Sequence, residues 1–156
     1  MNSIVITTLI KDGEKFLPLE SVTRTFSEEE YMEGALIIKT GNQIFMGEDF
    51  WDIVLLMWAL ILPGFLKMLS TGTEMKICFP DQPIDFSIQE PRTNTLKLQL
   101  DYDSEHREVL VAKNDFIRAL RTAAQEFTDW LRNGAEKEGL VWPELQGYID
   151  KLKEFE

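Results

Sequence analysis

The single histidine, His106, lies in the run Asp-Ser-Glu-His-Arg-Glu, and Asp101, Asp103 and Glu105 lead into it with alternating acidic spacing. Histidine is the usual general base, and the nearby carboxylates of Asp103, Glu105 and Glu108 favour its charged form and raise its pKa. Catalysis needs a nucleophile or second group placed with it, and the sequence names none, so the bland reading is a solvated loop histidine. Without a second histidine, most histidine-built metal sites and two-histidine nuclease mechanisms are excluded. The same acidic spacing opens a calcium loop. An EF-hand, however, requires glycine at the sixth position and a bidentate glutamate at the twelfth, and this chain has His106 and Ala112 there.

Cys78, in Lys-Ile-Cys-Phe, is the only cysteine, so no intramolecular disulfide forms and a secreted disulfide scaffold is excluded. A lone strand cysteine is most often structural, and no histidine lies close to it in sequence to activate it. The nine glycines are scattered at turns, with no Walker or dinucleotide pattern. No cofactor and no metal is expected. The densest negative patches are Glu28, Glu29 and Glu30 with Glu33, and the run Asp101, Asp103 and Glu105. Such charge is usually solvated surface. The functional alternative is a docking site for a basic protein, where complementary potentials speed association and set specificity.

The elements that must position these residues centre on a nearly unbroken apolar run, Phe50 to Leu69. A helix apolar on every side must be covered on every side, so Phe50 to Leu62 reads as a central buried helix ending at Pro63-Gly64, with Phe65 to Leu69 as a further turn. Trp51 and Trp58 belong to it, and Asp52, one turn after Glu48, stays near solvent on that reading. Before it, Ile4 to Ile10 turns at Asp12-Gly13 and returns antiparallel from Phe16 through Val22 to Phe26, and Tyr31 to Thr40 pairs with Gln43 to Met46 across Gly41-Asn42. After it, period-two alternation marks strands at Met75 to Phe79, Ile84 to Ile88 and Leu96 to Tyr102, with turns at Asp81-Gln82-Pro83 and Glu90-Pro91-Arg92. Val109 and Val111 close a fourth strand after the polar loop Asp103 to Arg107. Asn114 caps a second helix with Phe116, Ile117, Leu120, Ala123, Ala124, Phe127, Trp130 and Leu131 in its stripe, and Trp142-Pro143 opens a third.

Strands joined by short turns imply antiparallel pairing. The expected class is α+β: one mainly antiparallel sheet of about six to eight strands from consecutive hairpins, packed on one face by the central helix and two C-terminal helices, in one domain over residues 1–156. A formal charge of −11, from 27 acidic against 16 basic residues, repels phosphate backbones and anionic membrane surfaces. Nucleic acid is thus disfavoured as a partner. The uncharged stretch Ile53 to Leu66 is short of the roughly 17–25 residues a spanning helix needs, so no membrane partner is expected either. The N-terminus lacks a basic n-region and a small-residue cleavage site, and with the lone cysteine this points to a cytoplasmic setting.

The hairpin ALIIKTGNQIFM, the following GEDFWDIVLLMWAL and the late NDFIRALRTAAQEFTDWL give a layout that resembles small, acidic, cytoplasmic bacterial immunity proteins of toxin–immunity systems. The resemblance implies a non-catalytic protein-binding module that neutralises a basic toxin domain through an acidic surface, with Glu28, Glu29, Glu30, Glu33, Asp101, Asp103 and Glu105 as its contact residues. Two alternatives stand beside it. One is a small enzyme or ligand-binding domain with a cleft between sheet and helices, where Asp101 or Glu105 would converge with His106 or Arg107. The other is a phage-type inhibitor mimicking nucleic acid, against which Arg118, Arg121 and Arg132 on one helix argue.

Overall fold

A computed structural model describes residues 3–22, 32–134 and 142–156. The chain is α+β, with antiparallel strands and three helices, and in place of the single sheet expected the strands before and after the first helix form two separate sheets. The first is built from β1 (Ile4–Asp12), β2 (Lys15–Pro18), β3 (Glu33–Thr40) and β4 (Gln43–Met46), in the order β2-β1-β3-β4, and β5 (Asp52–Ile53) adds to β3. The second runs β6 (Met75–Cys78), β7 (Ile84–Arg92), β8 (Thr95–Tyr102) and β9 (Glu105–Ala112) in sequence order. Helices α1 (Val54–Thr71), α2 (Lys113–Gly134) and α3 (Trp142–Leu152) complete the chain.

Tight turns set the register. Gly13 and Gly41 adopt positive φ of 64° and 60° between their strands, and Asn94 and Asp103 do so at 65° and 54°, the left-handed region that Asn and Asp tolerate best after Gly. Strand β7 therefore runs on through Pro91 to Arg92, and the turn expected at Glu90 to Arg92 falls at Thr93-Asn94, with the register shift between Gln89 and Arg92 absorbing the proline. Likewise the loop expected from Asp103 to Arg107 shrinks to Asp103-Ser104. Glu105, His106 and Arg107 are strand residues, with Tyr102 opposite Glu105 and Asp101 opposite His106.

One buried cluster joins both sheets and the helices: Ile6, Ile10, Leu36 and Ile38 from the first sheet, Phe86, Ile88, Leu98 and Leu100 from the second. Into it α1 inserts Trp58, Leu62 and Phe65, each fully buried. The Trp58 Nε1–H donates to Thr8 Oγ1 at 3.2 Å, Trp58 stacks at 6.3 Å on Phe127 of α2, and Phe65 meets Phe116 edge-on at 5.1 Å. By length and composition α1 could cross a bilayer, yet this face is the core of the fold.

Four expectations for the apolar run are corrected. The helix starts only at Val54, because Glu48–Phe50 forms a single 3-10 turn and Asp52–Ile53 pairs with Glu33 and Gly34. Trp51 lies outside the helix, half-buried, with the Lys11 ammonium 4.8 Å from its ring centre. The helix passes through Pro63 and stops at Gly72, whose positive φ of 76° lets its N–H reach the Met68 carbonyl at 2.8 Å. Burying Phe65, Leu66 and Met68 beyond the proline offsets the missing hydrogen bond. Nor is the helix covered all round: Leu56 and Leu60, one turn apart, are 41% and 40% exposed.

Candidate functional site

The β8–β9 hairpin carries Asp101, Asp103 and Glu105, one of the two acidic runs the sequence singles out, and its strand register decides their chemistry. His106 faces Asp101 across the ladder, and its Nδ1 lies 2.5 Å from Asp101 Oδ1. On its other side Nε2 lies 3.1 Å from Glu108 Oε2. The hydrogen bond to Asp101, then that to Glu108, holds the imidazole above its ordinary pKa, and the imidazolium in turn lowers Glu108. Asp101, not Asp103 or Glu105, is thus the dominant partner, since it lies directly opposite His106, while Asp103 makes the turn and Glu105 points to the other face. The ring is about half exposed on an open sheet surface.

Arg107, pointing to the other face, is the residue the sequence reading undervalued. Its guanidinium donates to Glu105 Oε1 (2.7 Å), Asp49 Oδ2 (3.0 Å) and the Phe45 carbonyl (3.2 Å), and lies 4.6 Å from the centre of the Phe50 ring. Partial burial opposes its charge, and Glu105 and Asp49 more than offset that. Arg107 therefore ties the acidic hairpin of the second sheet to the 3-10 turn and β4 of the first, and Phe50 meets Tyr102 edge-on at 6.3 Å in the same seam. The only sequence signal was an arginine with Glu105 and Glu108 within two residues of it, which does not specify a partner 58 residues away.

Inward of His106 a polar ladder crosses the second sheet. Gln99 Nε2 donates to Glu108 at 3.1 Å, and Gln89 Nε2 donates to Gln99 at 3.2 Å and to Glu74 at 2.8 Å. Asp85 stands opposite Asp101 and also opposite Cys78. Cys78 is exposed, and desolvation followed by the Asp85 carboxylate holds its thiol above the ordinary value, the reverse of what a nucleophilic thiol needs.

The site residues divide as follows. Asp101, Asp103 and Glu105 lie at one hairpin tip but do not share a face: Asp103 makes the turn, Asp101 shares the face of His106, and Glu105 points to the other face with Arg107. Glu33 stands at the start of β3 opposite Ile53, and Glu28, Glu29 and Glu30 lie outside the described residues. Asp52 is corrected outright: it is buried, and its carboxylate accepts the backbone N–H groups of Ile53, Asp81 and Gln82. Among the described residues no group of three or more His, Cys, Asp or Glu side chains is arranged to hold a metal ion.

Two concave surfaces accompany the hairpin. A hollow of about 710 Å³ lies on the open face of the first sheet, floored by Val5, Leu9, Ile37 and Ile44 and rimmed by Asp49 and Arg107. A groove of about 490 Å³ runs between the start of β1 and α2. The convergence that an active site would need, Asp101 with His106 and Glu105 with Arg107, does occur, but the first pair sits on an open strand surface instead of in a cleft between sheet and helices. Comparison with known protein families, with curated proteins and with solved structures gives no match.

Proposed function

We propose that this chain is a non-catalytic binding module that docks a basic protein through the acidic end of the β8–β9 hairpin, the partner being a toxin domain neutralised in the cytoplasm, as the immunity-like layout suggests. The observation that carries this reading is the fixed presentation of the tip. Asp101 is held by His106 on one face of the tip and Glu105 by Arg107 on the other, so a partner that straddles the tip meets carboxylates that lose little freedom on docking, and ordering losses are a main penalty of association. Asp49, Asp85, Asp103 and Glu108 around them leave the region acidic after His106 and Arg107 are counted. The overall charge of −11 steers a basic partner toward it.

The test is co-purification of the tagged chain from its native host at low and then moderate salt, beside a variant carrying Asp101→Asn, Asp103→Asn and Glu105→Gln. A stoichiometric basic partner, released by salt and lost from the variant, is the expected result. A partner retained by the variant, or none with the unaltered chain, overturns the reading.

A second reading rests on the hollow over the first sheet. Val5 and Ile44 are 56% and 55% exposed, an apolar floor whose rim carries Lys39 and Arg107 beside Glu48 and Asp49, so it suits a small, mainly apolar ligand with no net charge. Saturable binding of such a ligand, abolished by Ile44→Asp, would favour it.

A further inference from the structure

Strand β1 is paired on both sides for only part of its length. Toward β3 it is complete, Ile4 opposite Thr40 through Ile10 opposite Gly34. Toward β2 the pairing covers only Leu9 to Asp12, and it stops at Pro18, which has no N–H to continue the ladder and leads into the 3-10 turn Leu19–Ser21. Among the described residues nothing pairs with the outer edge of β1 at Ile4 and Ile6.

The register says which groups that edge offers. The Gly41 N–H donates to the Ser3 carbonyl at 2.9 Å, which makes Ser3 and Gly41 a hydrogen-bonded pair. In an antiparallel ladder such pairs alternate, so Val5 and Thr7 bond to β3 while the N–H and C=O of Ile4 and Ile6 point outward. Ile10, opposite Leu17, uses the same outward groups to bond β2, as the alternation requires. The edge is Ile-Val-Ile-Thr-Thr, with no lysine, proline or inward charge of the kind that natural edges use to discourage pairing.

Beside this edge, α2 forms the second wall of the 490 Å³ groove with Asp115, Arg118, Ala119, Thr122 and Glu126, one helical stripe. A strand edge flanked by a helix takes an extended chain, whose main chain supplies the hydrogen bonds and whose alternate side chains meet the two walls. We infer that this groove binds an extended, basic segment of a partner protein as an added strand on β1. On such a strand one set of side chains continues the row of Val5 and Thr7 on the open sheet face, favouring apolar residues. The other set meets α2, where Arg118 is paired with Asp115 at 3.6 Å, so Glu126 is the charge that favours lysine or arginine. A second copy of this chain presents the same backbone, but each copy carries a charge of −11, which opposes self-pairing and attracts a basic segment. The inference does not rest on the hairpin tip, which lies on the other sheet.

The probe is an acetylated, fluorescently labelled peptide Lys-Val-Lys-Val-Lys-Val-Lys, with two controls: the Glu-Val equivalent, and a Lys-Val peptide N-methylated at alternate residues so that one edge cannot donate. In the free chain, the amides of Ile4 and Ile6 should exchange with solvent faster than those of Val5 and Thr7. The Lys-Val peptide should bind and slow the exchange at Ile4 and Ile6, and both controls should bind at least about tenfold more weakly, by loss of charge or of backbone bonds. Ile4→Pro, which removes an outward N–H without touching the bonds to β3, should weaken the peptide similarly with thermal unfolding checked alongside; the N-methylated control does not depend on that variant folding. The tip variant Asp101→Asn/Asp103→Asn/Glu105→Gln should retain the peptide. No binding, or binding without protection of Ile4 and Ile6, overturns the inference. Protection of both amides in the free chain together with a dimer in sedimentation overturns it in favour of a second copy.

Discussion

The buried carboxylate of Asp52 accepts the Gln82 backbone N–H at 2.8 Å, and its other oxygen accepts that of Asp81 at 3.0 Å. With the Gln82 side-chain amide donating back to the Trp51 carbonyl, this fastens β5 of the first sheet to the β6–β7 turn of the second. Replacing Asp52 by Ala strands these donors. Because Asp81 is exposed and water can reach part of the turn, the expected loss is about 2 kcal/mol, not the full sum for charge-assisted bonds. Asp52→Asn should fall between the two, since its amide N–H₂ faces donors. Urea unfolding of the three proteins checks the order.

His106 is the only histidine, so its ring protons report one titration. Its folded pKa is raised above 6.5 by Asp101 and then Glu108, so its stabilising contribution is complete below about 6.5 and is lost as pH rises through the folded value. Glu108 runs oppositely: its folded pKa lies below 4.5, so its contribution is present above that value and is lost as pH falls through the folded one. The pair is strongest between the two folded values. A proton NMR titration should give a His106 midpoint above 6.5 that moves down in Asp101→Asn; an unchanged midpoint would remove Asp101 as the main cause.

Much of this fold was legible because short turns and two-residue periodicity are local. Turn glycines such as Gly13 and Gly41, with period-two alternation such as that of Leu96, Leu98 and Leu100, placed eight of the nine strands so that they overlap the observed ones, the two-residue β5 being the exception. Non-local contacts were not legible. Asp52 looked like a solvent-facing helix residue because its partners are backbone N–H groups 29 and 30 residues later, which leave no signature in side-chain type. Apolar content alone likewise could not tell the 3-10 turn and short strand before Val54 from the helix after it. At the candidate site the acidic residues were visible, but their pairing depended on a turn of two residues instead of five, which moved His106 onto a strand opposite Asp101.

Gly34 is required by close approach. A Cβ there would lie 2.2 Å from the Leu9 carbonyl oxygen and 3.2 Å from Val54 Cβ, and backbone cannot yield as a flexible side chain does. Gly34→Ala should therefore shift β1 against β3 and cost about 3 kcal/mol or more, whereas Gly64→Ala, whose Cβ would meet only side-chain atoms, Met75 Cγ and Sδ at 3.3 and 3.4 Å and Ile77 Cγ2 at 3.6 Å, should cost far less. Comparing the two melting temperatures decides it.

Thr128, within the buried face of α2, has a hydroxyl with no hydrogen-bond partner among the described residues. Valine has nearly the same shape and removes the unsatisfied group. Thr128→Val should thus be neutral or stabilise by about 1 kcal/mol, where a satisfied buried hydroxyl would give a loss. A clear drop in the unfolding midpoint would show that the hydroxyl has a partner in solution.

Pro63 sits in the middle of α1, where it cannot donate to the Ala59 carbonyl and its ring crowds that turn, a penalty of about 3 kcal/mol relative to alanine in a helix interior. The helix tolerates it because Trp58, Ile61, Leu62, Phe65 and Leu66, on either side, are buried and none could stay so if the chain broke there. Pro63→Ala restores the donor but gives up ring packing, and the ring is only half-buried beside Leu66, Lys67 and Tyr148. The packing loss is therefore smaller than the backbone gain, and a net stabilisation of about 1–2 kcal/mol is expected from urea unfolding. A destabilised variant would mean that the proline ring is needed to seat Tyr148 of α3, and Tyr148→Ala should then show a loss that is not additive with Pro63→Ala.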